Sequence, residues 1–240
     1  MKIKNDILGY KDRTLYQDTK MFSFTLDSVL VSRFINLNSK IKTIVDFGTN
    51  NAVIPLIVSK YTKAYICGVE IQEQAVQLAQ ENVVLNKLDG QIEIICADVK
   101  NFAKTNRHKF DAVICNPPFF KMDGSPKTKA LSQEVVNARH ETLITLEEII
   151  HSASQVLRNG GSFTIVHRAE RAGEIINLFY QNKLIPKRIR FVHSKKDQKA
   201  KTVLIDAILN GNEGMSILPP LIAHNSDETY TDELLEMFRD

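Results

Sequence analysis

"DFGTNNAVIPL", residues Asp46 to Leu56, decides how this chain is read. An acid and a glycine follow the β-branched run ending at Val45, and an apolar helical pattern comes next. Strand, tight glycine turn and helix in succession make the loop that holds a nucleotide cofactor in α/β sheets. The usual pattern sets glycine at every second position. Gly48 stands, but Asn50 and Ala52 occupy the next two places. Asn tolerates positive φ better than most non-glycine residues, so Asn50 keeps the turn. Ala52 adds a methyl group beside either the helix packing or the ligand. It costs about 1 kcal/mol if its φ is positive and nothing if it is helical. A working cofactor loop, a loop that has lost its cofactor, and no such loop at all are all open at this point.

Outward from this stretch, β-branched runs alternate with helical ones. "KTIVDF", "KAYICGVEI", "QIEIICAD", "KFDAVIC" and "SFTIVH" read as strands. "NAVIPLIVSKY" reads as a helix with Pro55 in its first turn, where a missing N–H costs little. "QEQAVQLAQENVVLNK" carries apolar residues near the 3.6 period. "TLEEIIHSASQVLRNGG" reads as a helix ended by Gly160 and Gly161, and "RAERAGEIINLFYQNK" as another. "KRIRFVH" and "KTVLIDAIL", joined by a polar basic loop, read as a closing hairpin. Such alternation predicts a parallel sheet with helices on both faces and ligands at the strands' carboxyl ends.

The bulk numbers agree. A hydrophobic content of 43% with 25% charged residues is that of a globular protein with an ordinary core. No apolar run approaches the roughly 20 residues that cross a bilayer, and the start has no stretch of signal-peptide length, so a cytoplasmic location is expected. Cys67, Cys96 and Cys115 lie far apart in strand-like runs and read as reduced, buried thiols, without metal. With no repeat or linker, residues 1–240 read as one domain: a cap segment at 1–40, sheet and helices at 41–210, and an extension at 211–240. "PKRIRFVHSKKDQKAK", residues 186–201, holds seven Lys or Arg and one acid, which suits a phosphate backbone or a solvated hairpin rim.

Four polar features fall at four successive strand ends. Asp46 ends the first strand. Glu70 ends the second and can accept from both hydroxyls of a ribose. Asp98 ends the third and can accept from an adenine amino group. "NPPFF", Asn116 to Phe120, ends the fourth. The paired prolines stiffen that loop and fix its carbonyls. An adenine amino nitrogen is planar, its lone pair spread into the ring. The Asn116 side-chain oxygen and the Pro117 carbonyl can bind its two hydrogens and free the lone pair. Phe119 offers a stacking face worth about 1–3 kcal/mol.

In this order, Asp46 to Ala52, Glu70, Asp98 and NPPF resemble class I S-adenosylmethionine-dependent methyltransferases of amino groups. More narrowly, the chain resembles the bacterial tRNA(Val) adenine-37 N6-methyltransferases along almost its whole length. "FSFTLDSVLVSRFI", "VEIQEQAVQLAQENVVLN", "ARHE", "VHRAER" and "YTDELLEMF" match that family's style. The resemblance implies an α/β, Rossmann-like fold: seven mostly parallel strands, a C-terminal antiparallel hairpin and a short N-terminal helical segment over the cofactor. It implies S-adenosylmethionine held by Asp46, Gly48, Asn50, Glu70, Ile71, Asp98, Val99 and Asn116. Catalysis falls to Asn116, Pro117, Pro118 and Phe119. Contact with tRNA falls to Phe119, Phe120, Arg139, His140, Lys195 and Lys196, in a monomer. NPPF alone is shared with guanine-amine and glutamine methyltransferases, and an inactive RNA-binding relative is the third reading.

Overall fold

The computed structural model describes residues 2–7, 10–18, 24–119 and 143–238. Its frame is one sheet whose seven long strands lie in the order β5-β4-β3-β6-β7-β9-β8. These strands are β3 (Thr43–Phe47), β4 (Tyr65–Glu70), β5 (Ile92–Cys96), β6 (Phe110–Cys115), β7 (Leu157–Arg168), β8 (Leu184–His193) and β9 (Ala200–Leu209). From β5 through β7 all pairs are parallel, and β9 runs antiparallel to β7 and β8. This is the expected sheet with its closing hairpin. Two two-residue strands, β10 (Ser216–Ile217) and β11 (Leu221–Ile222), add to the β8 edge.

Both faces of the strands are apolar because both are covered. Successive residues alternate between two cores: Ile44, Ile114 and Leu204 face one, Val45, Val113 and Val203 the other. The first core is closed by α1 (Leu26–Phe34), α2 (Val53–Val58) and α3 (Glu73–Leu85). The second is closed by α4 (Val99–Thr105), α5 (Leu146–Val156) and α6 (Ala172–Gln181). A last helix, α7 (Asp232–Glu236), returns to the first core through Leu234.

Three expectations need correction. The N-terminal segment is not helical alone: an antiparallel hairpin, β1 (Lys2–Ile7) and β2 (Tyr10–Asp18), precedes α1. It docks through Asn82, fully buried on α3, which accepts from the Tyr16 N–H (2.6 Å) and donates to the carbonyls of Tyr16 (3.1 Å) and Asn51 (3.0 Å). Helix α5 stops at Val156 rather than at the glycines; Leu157 is already extended, and Gly160 (φ 78°) sits in an irregular part of β7. Cys96, at the end of edge strand β5, is exposed, while Cys67 and Cys115 are buried.

Candidate functional site

The carboxyl ends of β3, β4, β5 and β6 open onto one cleft with an empty volume of ≈ 950 Å³, its mouth included. Of the expected site residues, Gly48, Asn50, Glu70, Ile71, Asp98, Val99, Asn116, Pro117 and Pro118 line it. Phe24, just before α1, Ser28 on α1, and Leu143, Ile144 and Ile149 at and before α5 add to the wall.

The opening stretch is a left-handed staircase. Gly48 (φ 72°), Asn50 (φ 49°) and Ala52 (φ 65°) all lie at positive φ, so the alternation of the glycine pattern survives in the backbone. A Cβ on Gly48 would meet nothing within 4 Å, so glycine is suited there by its φ. Ala52 is fully buried in the first core, and its neighbours Asn51 and Val53 line the cleft while it does not. Its methyl therefore packs against the helices. Gly68, paired with Asp46 across β3 and β4, keeps room for Thr49: a Cβ there would sit 2.9 Å from the Thr49 side chain and 2.8 Å from Ile94.

Glu70 braces this loop. One carboxylate oxygen accepts from the Asn50 N–H (3.1 Å), the other from the Ile71 and Gln72 N–H groups (2.9 and 3.0 Å). Of about four lone-pair positions on a carboxylate, three are thus in use. A ribose diol would share the rest or displace a backbone donor. Asp98 caps α4 by accepting from the Lys100 N–H at 2.7 Å, and still borders the cleft.

Asp46 lies behind the wall, fully buried, and among the described residues no hydrogen bond closes on either of its oxygens or on Thr49 Oγ1. Burial pushes its carboxyl up to about 7; the Thr49 hydroxyl opposes this and the Glu70 charge adds to it. A buried carboxylate without donors is costly unless a cation or donor arrives. Together with the Glu70 carboxylate and the apolar flanks Ile71 and Val99, this orphaned acid fits a cofactor that carries a ribose, a flat base and a positive amino-acid end.

At the end of β6, Asn116 Nδ2 donates to Ser28 Oγ at 3.0 Å. Among the described residues nothing donates to Asn116 Oδ1 or to the Pro117 carbonyl. Phe119 does not line the cleft. Its ring lies against His167, at 5.2 Å and 42°. His167 is fully buried; desolvation, then the Arg171 charge, holds it down at about 3, so it stays neutral. Arg171 itself binds Glu174 through two nitrogens (2.9 and 2.8 Å). Phe120, Arg139 and His140 lie outside the described residues.

The basic stretch is smaller than its sequence suggests. Arg188 pairs with Asp206, Arg190 with Glu233 and Lys195 with Glu228, while Lys187 donates to the Asn212 carbonyl (2.9 Å). Lys196 and Lys199, exposed at the turn between β8 and β9, form no ion pair among the described residues. Because β8 follows the direction of β7, that turn sits on the same rim as the NPPF loop. Sequence reading quoted the stretches that hold Ser28, His167 and Asn82 but assigned none of the three a role, because the partner of each lies elsewhere in the chain.

The family model described as "Methyltransferase small domain" matches residues 14–192. The chain is 25% identical over 232 residues to a tRNA1(Val) (adenine(37)-N6)-methyltransferase of Bacteroides fragilis, covering 96% of this chain and 95% of that one. It is 26% identical over 238 residues to the protein of that name from Bacteroides thetaiotaomicron, covering 98% and 97%. Among solved structures, a predicted O-methyltransferase of Agrobacterium tumefaciens shares the fold with a TM-score of 0.68 at 20% identity, covering 89% of this chain and 97% of that one.

Proposed function

Because the chain belongs to the methyltransferase small domain family, we propose that it methylates the 6-amino group of an adenine in tRNA, next to the anticodon of tRNA(Val), with S-adenosylmethionine as cofactor. The curated relatives of that name match it nearly end to end. The observation that carries the chemistry is the pair of acceptors at the end of β6, Asn116 Oδ1 and the Pro117 carbonyl, which take no donor among the described residues and sit beside the cleft.

Two acceptors at fixed angles match the two hydrogens of an exocyclic amine. Holding both hydrogens draws the nitrogen toward a pyramidal shape and localises its lone pair. This matters most in the transition state, so it raises turnover rather than affinity. Pro118 keeps the Pro117 carbonyl in place by restricting the residue before it. Phe119, backed by the neutral His167, gives the base a face to stack on. When bound, the cofactor supplies the electrophilic methyl group. Glu70 and Asp98 orient it, Asp46 acts on it from behind the wall, and Ile71 and Val99 flank its base. The amine sheds its proton readily once methylated, so no general base is required. Lys196 and Lys199 supply phosphate contacts, and the whole chain works as one domain and one protomer.

The test is nucleoside mass spectrometry of tRNA incubated with purified protein and cofactor. N6-methyladenosine should appear with the wild type. Asn116→Ala should lose most turnover, a 10²-fold fall or more, while binding the cofactor near normally. Wild-type turnover in Asn116→Ala, or methylation of guanine or of a protein glutamine instead, would overturn the reading.

A further inference from the structure

Amine methylation needs one of the two orientations of the Asn116 amide. A primary amide has an acceptor at Oδ1 and two donors at Nδ2, and a flipped amide would set donor against donor at the target nitrogen. Nothing in the NPPF stretch selects the orientation. The contact that can select it comes from 88 residues earlier: Nδ2 donates to Ser28 Oγ at 3.0 Å. Ser28 is only 4% exposed and lines the cleft together with Asn116.

Helix α1 holds the Ser28 backbone in place. Ser32 Oγ donates to the Ser28 carbonyl (2.7 Å), and the Ser28 N–H donates to the Thr25 carbonyl (3.1 Å). Next to it, Asp27 accepts from Thr202 Oγ1 of β9 at 3.2 Å. At the other end of the helix, Arg188 of β8 donates to the Phe34 carbonyl at 2.6 Å. Both ends of α1 are therefore pinned to the closing hairpin of the sheet.

We propose that Ser28 is the positioning residue that sets the Asn116 amide. By accepting from Nδ2 it turns Oδ1 toward the substrate amine. The proposal rests on the reading of Asn116 as the amine acceptor. A hydroxyl can accept along this contact only while its own proton points elsewhere. Among the described residues no acceptor pairs with that proton, and the cleft is the open side. An acceptor on the bound cofactor, such as its carboxylate, is the chemistry that takes it. The occupied cleft fixes the serine proton, the serine fixes the amide, and the amide faces the base with its acceptor. Without that ligand the serine is free to donate to Asn116 and admit the wrong orientation.

The test uses uniformly ¹⁵N-labelled wild type, Ser28→Ala, Asn116→Ala and the double variant, each with S-adenosylhomocysteine, the demethylated cofactor. Alanine is the best helix former, so α1 survives the change. The Asn116 side-chain NH₂ signals, assigned by their loss in Asn116→Ala, should be sharp and slow to exchange in the wild type. In Ser28→Ala they should shift and exchange at least tenfold faster. At saturating cofactor, turnover in Ser28→Ala should fall about 10–100-fold. In the Asn116→Ala background the same change should cost less than about twofold. Unmoved NH₂ signals, unchanged turnover, or losses that multiply in the double variant would overturn the proposal. Signals that respond as expected in a chain whose wild type leaves adenine unmethylated would keep the positioning role and sink the proposed function.

Discussion

The methyl group of Ala52 shows how one residue can break a pattern and leave its geometry standing. At φ 65° an alanine is strained by roughly 1–2 kcal/mol. Two effects oppose that strain. The buried methyl contributes about 0.8 kcal/mol, and alanine gives the unfolded chain less freedom than glycine, worth about 0.4–1 kcal/mol. The terms nearly cancel, so Ala52→Gly should change unfolding free energy by less than about 1 kcal/mol. Ala52→Val, β-branched in a left-handed position and overfilling a buried site, should lose about 3 kcal/mol or more. Urea denaturation of the two variants checks this; equal stabilities would mean that the φ is not left-handed. Asp46 lends itself to a pH test. Its folded pKa of about 7 lies above its ordinary 3.8. Its contribution is therefore full below about pH 4 and is lost as pH rises toward 7, a few kcal/mol in all. Asp46→Asn cannot titrate. The stability of the variant relative to the wild type should rise across that window in cofactor-free protein, as followed by melting temperature. A flat difference from pH 4 to 8 would show that the carboxyl titrates normally.

Among the elements, the strands were legible because both of their faces are apolar, and the cofactor loop was legible because its glycine pattern is local. The N-terminal hairpin was not. "KIKNDI" is polar and largely exposed, so its alternation carries no core signal; the hairpin is held by Ile7, Tyr10 and Leu15 in the first core and by Asn82 on, and Asn86 at the end of, a helix read only for its apolar stripe. Ser28 was hidden for the same reason: its partner is remote in sequence. Asn82 joins three elements, and its removal leaves the Tyr16 backbone and the Asn51 carbonyl short of partners in a buried place. Asn82→Ala should cost about 2–4 kcal/mol, as buried groups left unpaired do. It should also raise amide exchange along β2 and in the cofactor loop together. Exchange that rises in β2 alone would show that the loop does not depend on this side chain.

For the whole molecule, the proposed function asks which charges meet tRNA. Sequence counting gave seven cations between residues 186 and 201 but could not see Asp206, Glu228 and Glu233, which arrive from later in the chain. The exposed Lys196 and Lys199 should therefore contribute more than Lys195. Lys196→Ala with Lys199→Ala should weaken tRNA binding and lower the slope of log K against log salt by about 1–2. Lys195→Ala should change that slope by less than about 0.5, because a charge already paired with Glu228 releases fewer counterions. Filter binding across a salt series decides it, and equal slopes for both would count against this assignment. The contact between the Tyr10 hydroxyl and the Met237 carbonyl, at 3.0 Å, has a different consequence. It ties Tyr10, buried in the first core, to a residue 227 positions later, so the first and last described elements of the chain hold one another in place.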